Sequence, residues 1–160
     1  MTPQLSYGWE PMARVFAEPN WNDLIHEHHE ELAVHKDDMP LCPDYTRCLL
    51  LEDAGIFKAW VGRSENGLLA SYLAWFVQPH LHYRTTLHAV EDLFMLSAPY
   101  RSGKNGKRMF MECFPELKNL GVRRVICHSK VHFEEKHPGF RRFFESMGFI
   151  HSDNLWSLWL

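Results

Sequence analysis

The sequence predicts an α+β domain, a mixed but mostly antiparallel sheet flanked by helices, and three observations carry that prediction. Two apolar runs, 56–63 and 68–77, meet at an Asn66-Gly67 turn, and a third follows at 85–96, which makes an antiparallel meander. The third run feeds a glycine- and base-rich loop that opens an amphipathic helix. After that helix a short apolar strand, 122–127, should pair parallel to the strand before the loop, as a right-handed β-α-β unit.

Composition bounds the rest. The chain has 160 residues, 46% hydrophobic and 14% aromatic, which suits one ordinary domain with its own core over 1–160. A formal net charge of −3 argues against a protein that coats nucleic acid. No run approaches the ~18 apolar residues of a membrane span, and residues 1–11 lack a signal-peptide pattern, so the expected location is the cytoplasm. Cys42, Cys48, Cys113 and Cys127 form no CxxC pair, which argues against both zinc and disulfides.

Residues 1–19, with Pro3, Pro11 and Pro19, predict an irregular or short-stranded start. Asn20 is placed to cap a helix over 21–35, with Trp21, Leu24, Ile25, His28, Leu32 and His35 on one face. The run His26-Glu27-His28-His29-Glu30 in that helix is not HExxH, and a solvated face is the plainer reading; no metal site is predicted. A loop over 36–46 and a short helix over 45–52 lead to the meander, where Pro79 should stop the second strand. The helix after the loop should bury Met109, Phe110, Cys113, Phe114, Leu117 and Leu120, with a kink or break at Pro115 and a stop at Gly121. Pro138 can open a last helix whose inner side holds Phe140, Phe143, Phe144 and Met147, and 149–160 should close the sheet.

The loop Arg101-Ser102-Gly103-Lys104-Asn105-Gly106-Lys107 carries the chemistry. Amides at the start of a helix and the positive end of its dipole form an anion site, and glycines let backbone approach a phosphate closely. A nucleotide-binding P-loop would need glycine at 101 and Ser or Thr at 108; both are arginine. A dinucleotide fold would need GxGxxG early in a parallel sheet, not after a meander.

These residues resemble the signature of the Gcn5-related N-acetyltransferases, Q/R-x-x-G-x-G/A, with Arg101 and Gly106 matching and the middle glycine shifted to Gly103. Further stretches, His28 to Ala33, Leu81 to Arg84, Asp92 and Phe143 to Phe149, are similar to a phage and prophage subgroup, and the resemblance spans roughly 20–160. It implies a sheet whose strands before the loop and after the helix splay apart. It also implies transfer of an acetyl group from acetyl-CoA to a primary amine, in a ternary complex, with a small molecule or a protein as acceptor. The backbone around Phe94, Met95 and Leu96 would hold the donor's pantetheine arm and thioester. Arg101, Ser102, Gly103, Lys104, Asn105, Gly106 and Lys107 would hold its pyrophosphate, with Ser129 also on the cofactor side. A base must take the proton of an amine of pKa ~10. Glu91 and Asp92 alternate across a regular strand, so one of them should face the cleft; Asp92 comes first, Glu91 second and His82 third. The tyrosine that many members use to protonate the leaving thiolate is Phe144 here, so Ser129, His128 or water would serve, or the thiolate would leave unaided. The other implied outcome is a catalytically quiet protein of phage type, in the host cytoplasm, that acts by binding a host protein. A homodimer is compatible with either.

Overall fold

A computed structural model describes residues 3–101 and 104–153, which form two compact units, Met1–His128 and Ser129–Leu160. The first unit holds strand β1 (Ser6–Glu10), helices α1 (Met12–Phe16), α2 (Trp21–Leu32) and α3 (Tyr45–Asp53), and strands β2 (Phe57–Arg63), β3 (Leu69–His80) and β4 (Tyr83–Leu96). A 3-10 turn at Ala98–Tyr100, helix α4 (Asn105–Asn119) and strand β5 (Val122–Ile126) complete it. The sheet order is β1-β2-β3-β4-β5; the first four strands are antiparallel and β5 runs parallel to β4. The meander and the parallel fifth strand therefore fall where the hydrophobic pattern puts them.

The period-2 alternation of the strands sorts the core onto two faces. Phe57, Ala59, Val61, Tyr72, Ala74 and Met95 point to one face, where Met12 and Val15 of α1 and Trp21, Leu24 and Ile25 of α2 cover them. On the other face Trp75 and Phe94 meet Phe110 of α4 edge-on, at ring separations of 6.4 and 4.9 Å. Full burial of side chains such as Trp75 and Phe110 contributes roughly 1.5–3 kcal/mol each and anchors α4 to the sheet.

Several expectations change in detail. Asn20 makes no side-chain cap; its Nδ2 donates to Leu69 O, 2.8 Å away, and α2 ends at Leu32 because Ala33 turns extended, at φ −72° and ψ 134°. Pro79 does not stop β3, which runs to His80, since the ladder shifts at Pro79/His80 and accommodates the missing donor. Pro115 neither breaks nor splits α4. Pro115 and Met111, four residues earlier, both lie on the exposed side, where water can satisfy the carbonyl that the proline leaves without a donor. Leu120, outside the helix, is exposed rather than buried.

The second unit has helices α5 (Val131–Lys136) and α6 (Phe140–Glu145). The Pro138 signal precedes α6, whose Phe140, Phe143 and Phe144 cluster with Phe149 at ring separations of 5.1 to 6.0 Å. Residues 149–153 form no strand, and the remainder of the expected closing strand, 154–160, lies outside the described residues. No helix among the described residues is long and apolar enough to cross a membrane.

Candidate active site

The site is built where β4 outlives its parallel partner. Pairing with β5 runs from Leu87↔Val122 to Val90↔Ile126, and among the described residues no β5 position pairs with the last stretch of β4, through Phe94, Met95 and Leu96. That stretch still pairs with β3 on its other side, Phe94↔Leu73, Met95↔Tyr72 and Leu96↔Ser71, so it stays extended. Side chains there are consumed by packing, with Met95 and Leu96 buried, and among the described residues no strand lies along the opposite edge. Where the strands part, Glu91 takes over the role of a ladder: His128 N donates to Glu91 Oε2 at 3.1 Å.

Glu91 and Asp92 do not alternate as a regular strand requires. Trp75 faces Glu91 and Ala74 faces Leu93, so Asp92 is an extra residue in a β-bulge. Asp92 is exposed, yet enough protein surrounds it that desolvation raises its pKa above the ordinary carboxylate value of 3.8. Its charge also reaches Cys48 on α3, whose thiol is pushed up first by burial and then by Asp92. Asp92 therefore looks to the α3 side, and Glu91 to the end of β5. The resemblance ranks Asp92 before Glu91, and the bulge gives the two carboxylates different surroundings. His82 stands elsewhere, in the exposed turn between β3 and β4, where its N–H donates to His80 Nδ1 at 3.1 Å. At ~3.3 Å per strand residue the run from there to Asp92 spans roughly 30 Å, too far for His82 to share its chemistry.

Beyond β4 the chain turns through Ala98–Tyr100 and enters α4. The first turn of α4 carries no acidic residue, and Lys104 at its N-cap makes no side-chain cap bond. The first intrahelical bond is Arg108 N to Lys104 O, at 2.9 Å, so amides before it lack acceptors within the helix. Lys104 and Lys107 are exposed beside them. A pyrophosphate fits such a helix start. Ser102 and Gly103 lie outside the described residues.

Two of the loop residues do something other than the motif implies. Asn105 is 4% exposed; its Nδ2 donates to Pro3 O at 2.8 Å and to Tyr100 O at 3.3 Å, so only its backbone could face a ligand. Arg101 turns toward α2, where it pairs with Glu27 at 2.9 Å and Glu31 at 2.6 Å. Sequence reasoning missed a third contributor, Tyr7. Its hydroxyl donates to Asn105 O at 2.9 Å, its pKa is pushed up to about 12 by burial, and Arg108 lies over its ring at 5.5 Å. The ring crosses β2 at Gly62, where any Cβ would stand 2.7 Å from Tyr7 Cε1. A glycine in the middle of an otherwise bulky strand was the available signal.

Ser129, in the second unit, donates its hydroxyl hydrogen to Glu134 Oε1. Phe144 is held in its aromatic cluster. Among the described residues no group of three or more His, Cys, Asp or Glu is arranged to hold a metal ion. In α2 the His-Glu run is spent otherwise: His28, 8% exposed, bonds Tyr72 Oη through Nδ1 at 2.6 Å, and Glu27 and Glu31 bind Arg101.

No protein-family model matches the chain, and no curated protein sequence does. Solved structures do match. An aminoglycoside acetyltransferase from an uncultured soil metagenomic sample superposes with a TM-score of 0.72 at 13% identity, covering 98% of this chain and 95% of that one. A glucosamine-6-phosphate N-acetyltransferase from Arabidopsis thaliana gives 0.70 at 12% identity, covering 98% of each chain. A ribosomal-protein-alanine N-acetyltransferase from Brucella melitensis biovar Abortus 2308 gives 0.65 at 12%, covering 98% and 97%. At such identities the likeness establishes the fold, which is that of the Gcn5-related N-acetyltransferases.

Proposed function

We propose that this chain transfers an acetyl group from acetyl-CoA to a primary amine by direct attack within a ternary complex. The observation that carries the reading is that β4 outruns its pairing with β5 after Val90 and leads straight into a start of α4 that has no side-chain cap. Those two features sit in tandem along one stretch of chain, in the order that a long donor with an acyl end and a phosphate end requires. When bound, acetyl-CoA would supply an activated thioester. The chain's own residues do the rest. The backbone edge at Phe94, Met95 and Leu96 orients the donor arm, and an N–H of that edge can meet negative charge as it develops on the thioester oxygen. Amides at the start of α4, with Lys104 and Lys107, hold the pyrophosphate.

Asp92 takes the proton of the attacking amine. Its carboxyl is accessible, it stands one bulge away from that edge, and its raised pKa brings it closer to the pH at which it works. Glu91, tied to His128 N, holds the gap between β4 and β5 rather than accepting that proton. Asp92→Asn should therefore lower kcat by roughly 100-fold or more while leaving CoA affinity within about twofold. The test is a thiol-release assay against polyamines, amino sugars, aminoglycosides and lysine peptides, with calorimetric titration of CoA alongside. An unchanged kcat would remove Asp92 from the reaction, and failure to bind CoA at all would remove the donor.

A second reading, a quiet protein of phage type that binds a host protein, is favoured by one residue. Phe144 stands where many relatives of this fold carry a proton-donating tyrosine, and a phenyl ring donates nothing. Tight CoA binding with no thiol release on any acceptor would decide for it.

A further inference from the structure

We propose that Arg101 is a positioning residue, a latch that pins α2 to the end of β4, and not a ligand of the donor's phosphates. All three nitrogens of the guanidinium are engaged. Arg101 Nε donates to Leu96 O at 2.6 Å, one terminal nitrogen donates to Glu31 Oε1 at 2.6 Å, and the other reaches Glu31 Oε2 at 2.8 Å and Glu27 Oε1 at 2.9 Å. That second terminal nitrogen also lies 3.8 Å from Met95 Sδ. Glu27 and Glu31 are one helical turn apart, so a single planar fork spans both carboxylates and the last carbonyl of β4. Glu27 Oε1 accepts from Ala98 N as well, at 3.3 Å, which binds the helix to the backbone just past the strand.

Electrostatics points the same way. Two carboxylates surround one guanidinium, so the local charge is net negative and repels a pyrophosphate instead of attracting it. The signature position is thus occupied by the right residue for a different task. Leu96 is both the end of β4 and the residue that Arg101 grips, so the latch joins α2 directly to the segment assigned above to the donor. α2 has a second tie through His28 and Tyr72, whose strand partner is Met95. Together they hold the helix against the same two β4 residues.

The latch itself is independent of the acetyltransferase reading; its bearing on donor binding rests on that reading. Two measurements keep the two apart. The first is amide hydrogen exchange, without ligand, on the full chain and on Arg101→Met, Arg101→Lys and Glu27→Gln/Glu31→Gln. The latch predicts at least tenfold faster exchange confined to α2 in all three, with β2 and β3 unchanged. Lysine should fail to rescue, because a point charge cannot bridge Leu96 O and two carboxylates at once. Unchanged α2 exchange, exchange raised equally through the sheet, or full rescue by lysine would overturn the proposal. The second is calorimetric titration with CoA. The latch predicts affinity within about twofold of wild type for Arg101→Lys and Arg101→Met. A loss of tenfold or more in both, with Glu27→Gln/Glu31→Gln unaffected, would make Arg101 a phosphate ligand and overturn it. If the wild type itself does not bind CoA, the function proposed above fails and the exchange result alone decides the latch.

Discussion

Asp92 carries a cost in the folded state. Burial raises its folded pKa above the unfolded value, so the folded state holds the proton more tightly and the charged form is disfavoured. Stability from this group is fully present below the unfolded pKa and declines as pH rises through the folded one. Asp92→Asn should therefore raise Tm at neutral pH, and the gain should disappear below about pH 3.8, near the value expected for an ordinary aspartate. Thermal melts across pH check it; a gain that is independent of pH would mean that charge is not the cause. The same raised pKa predicts an acidic limb of kcat/KM displaced upward from the ordinary carboxylate range. Tyr7 makes a different point. Tyr7→Phe removes one hydrogen bond to Asn105 O, worth about 0.5–1.5 kcal/mol, and should loosen the start of α4 without touching any substrate. Gly62→Ala puts a methyl 2.2 Å from Ser71 Oγ and 2.7 Å from Tyr7 Cε1, so both must give way, and it should reproduce that loss with a larger drop in Tm. CoA affinity that stays at the wild-type level in both would detach Tyr7 from the site.

At the scale of elements, β1 is short but holds much of the frame. Arg63 on β2 pairs with Glu10 on β1 at 2.6 Å and with Glu18 at 2.6 Å, and all three side chains are under 17% exposed. Arg63→Met would leave Glu18, mostly buried, without its Arg63 partner and Glu10 with Arg14 alone, 3.3 Å away, and should destabilise the chain by roughly 3 kcal/mol in urea titration. A change below 1 kcal/mol would show that water compensates the pair. Pro115 predicts the opposite sign. Its place inside an unbroken α4 sacrifices one backbone bond, so Pro115→Ala should stabilise by roughly 1–3 kcal/mol. The strands and helices were legible because their periods are strong: the Asn66-Gly67 turn, the apolar 85–96 run and the amphipathic α4 all sit where the pattern put them. Details decided by single tertiary contacts were not. Asn20 has the side chain of a cap, but its Nδ2 is bonded to Leu69 O and its Oδ1 makes no cap bond, and nothing local announces that orientation.

For the whole molecule, the loop pointed to the donor's phosphates, yet two of its side chains serve the scaffold. Asn105 and Arg101 carry the motif's identity in sequence and spend their side chains on Pro3, Tyr100, Glu27 and Glu31. Tyr100 apart, these partners lie about 70 to 100 positions away along the chain, a distance at which sequence pattern has no reach. The backbone does the binding in the function proposed above, and backbone is anonymous in a sequence. One consequence concerns the bulge at Asp92. A single odd residue is a phase slip in a structure that counts in twos: Glu91 and Leu93, two apart, face β3 neighbours on opposite sides of the sheet. The strand thus reads as two halves of opposite parity, one meshed with β5 and one beyond that pairing. Point substitutions leave that parity intact. Deleting Asp92 would cancel the slip and leave a regular ladder, with Leu93, Phe94 and Met95 still opposite Ala74, Leu73 and Tyr72. The extra residue is therefore dispensable to the sheet, and what its loss removes is the carboxylate it carries.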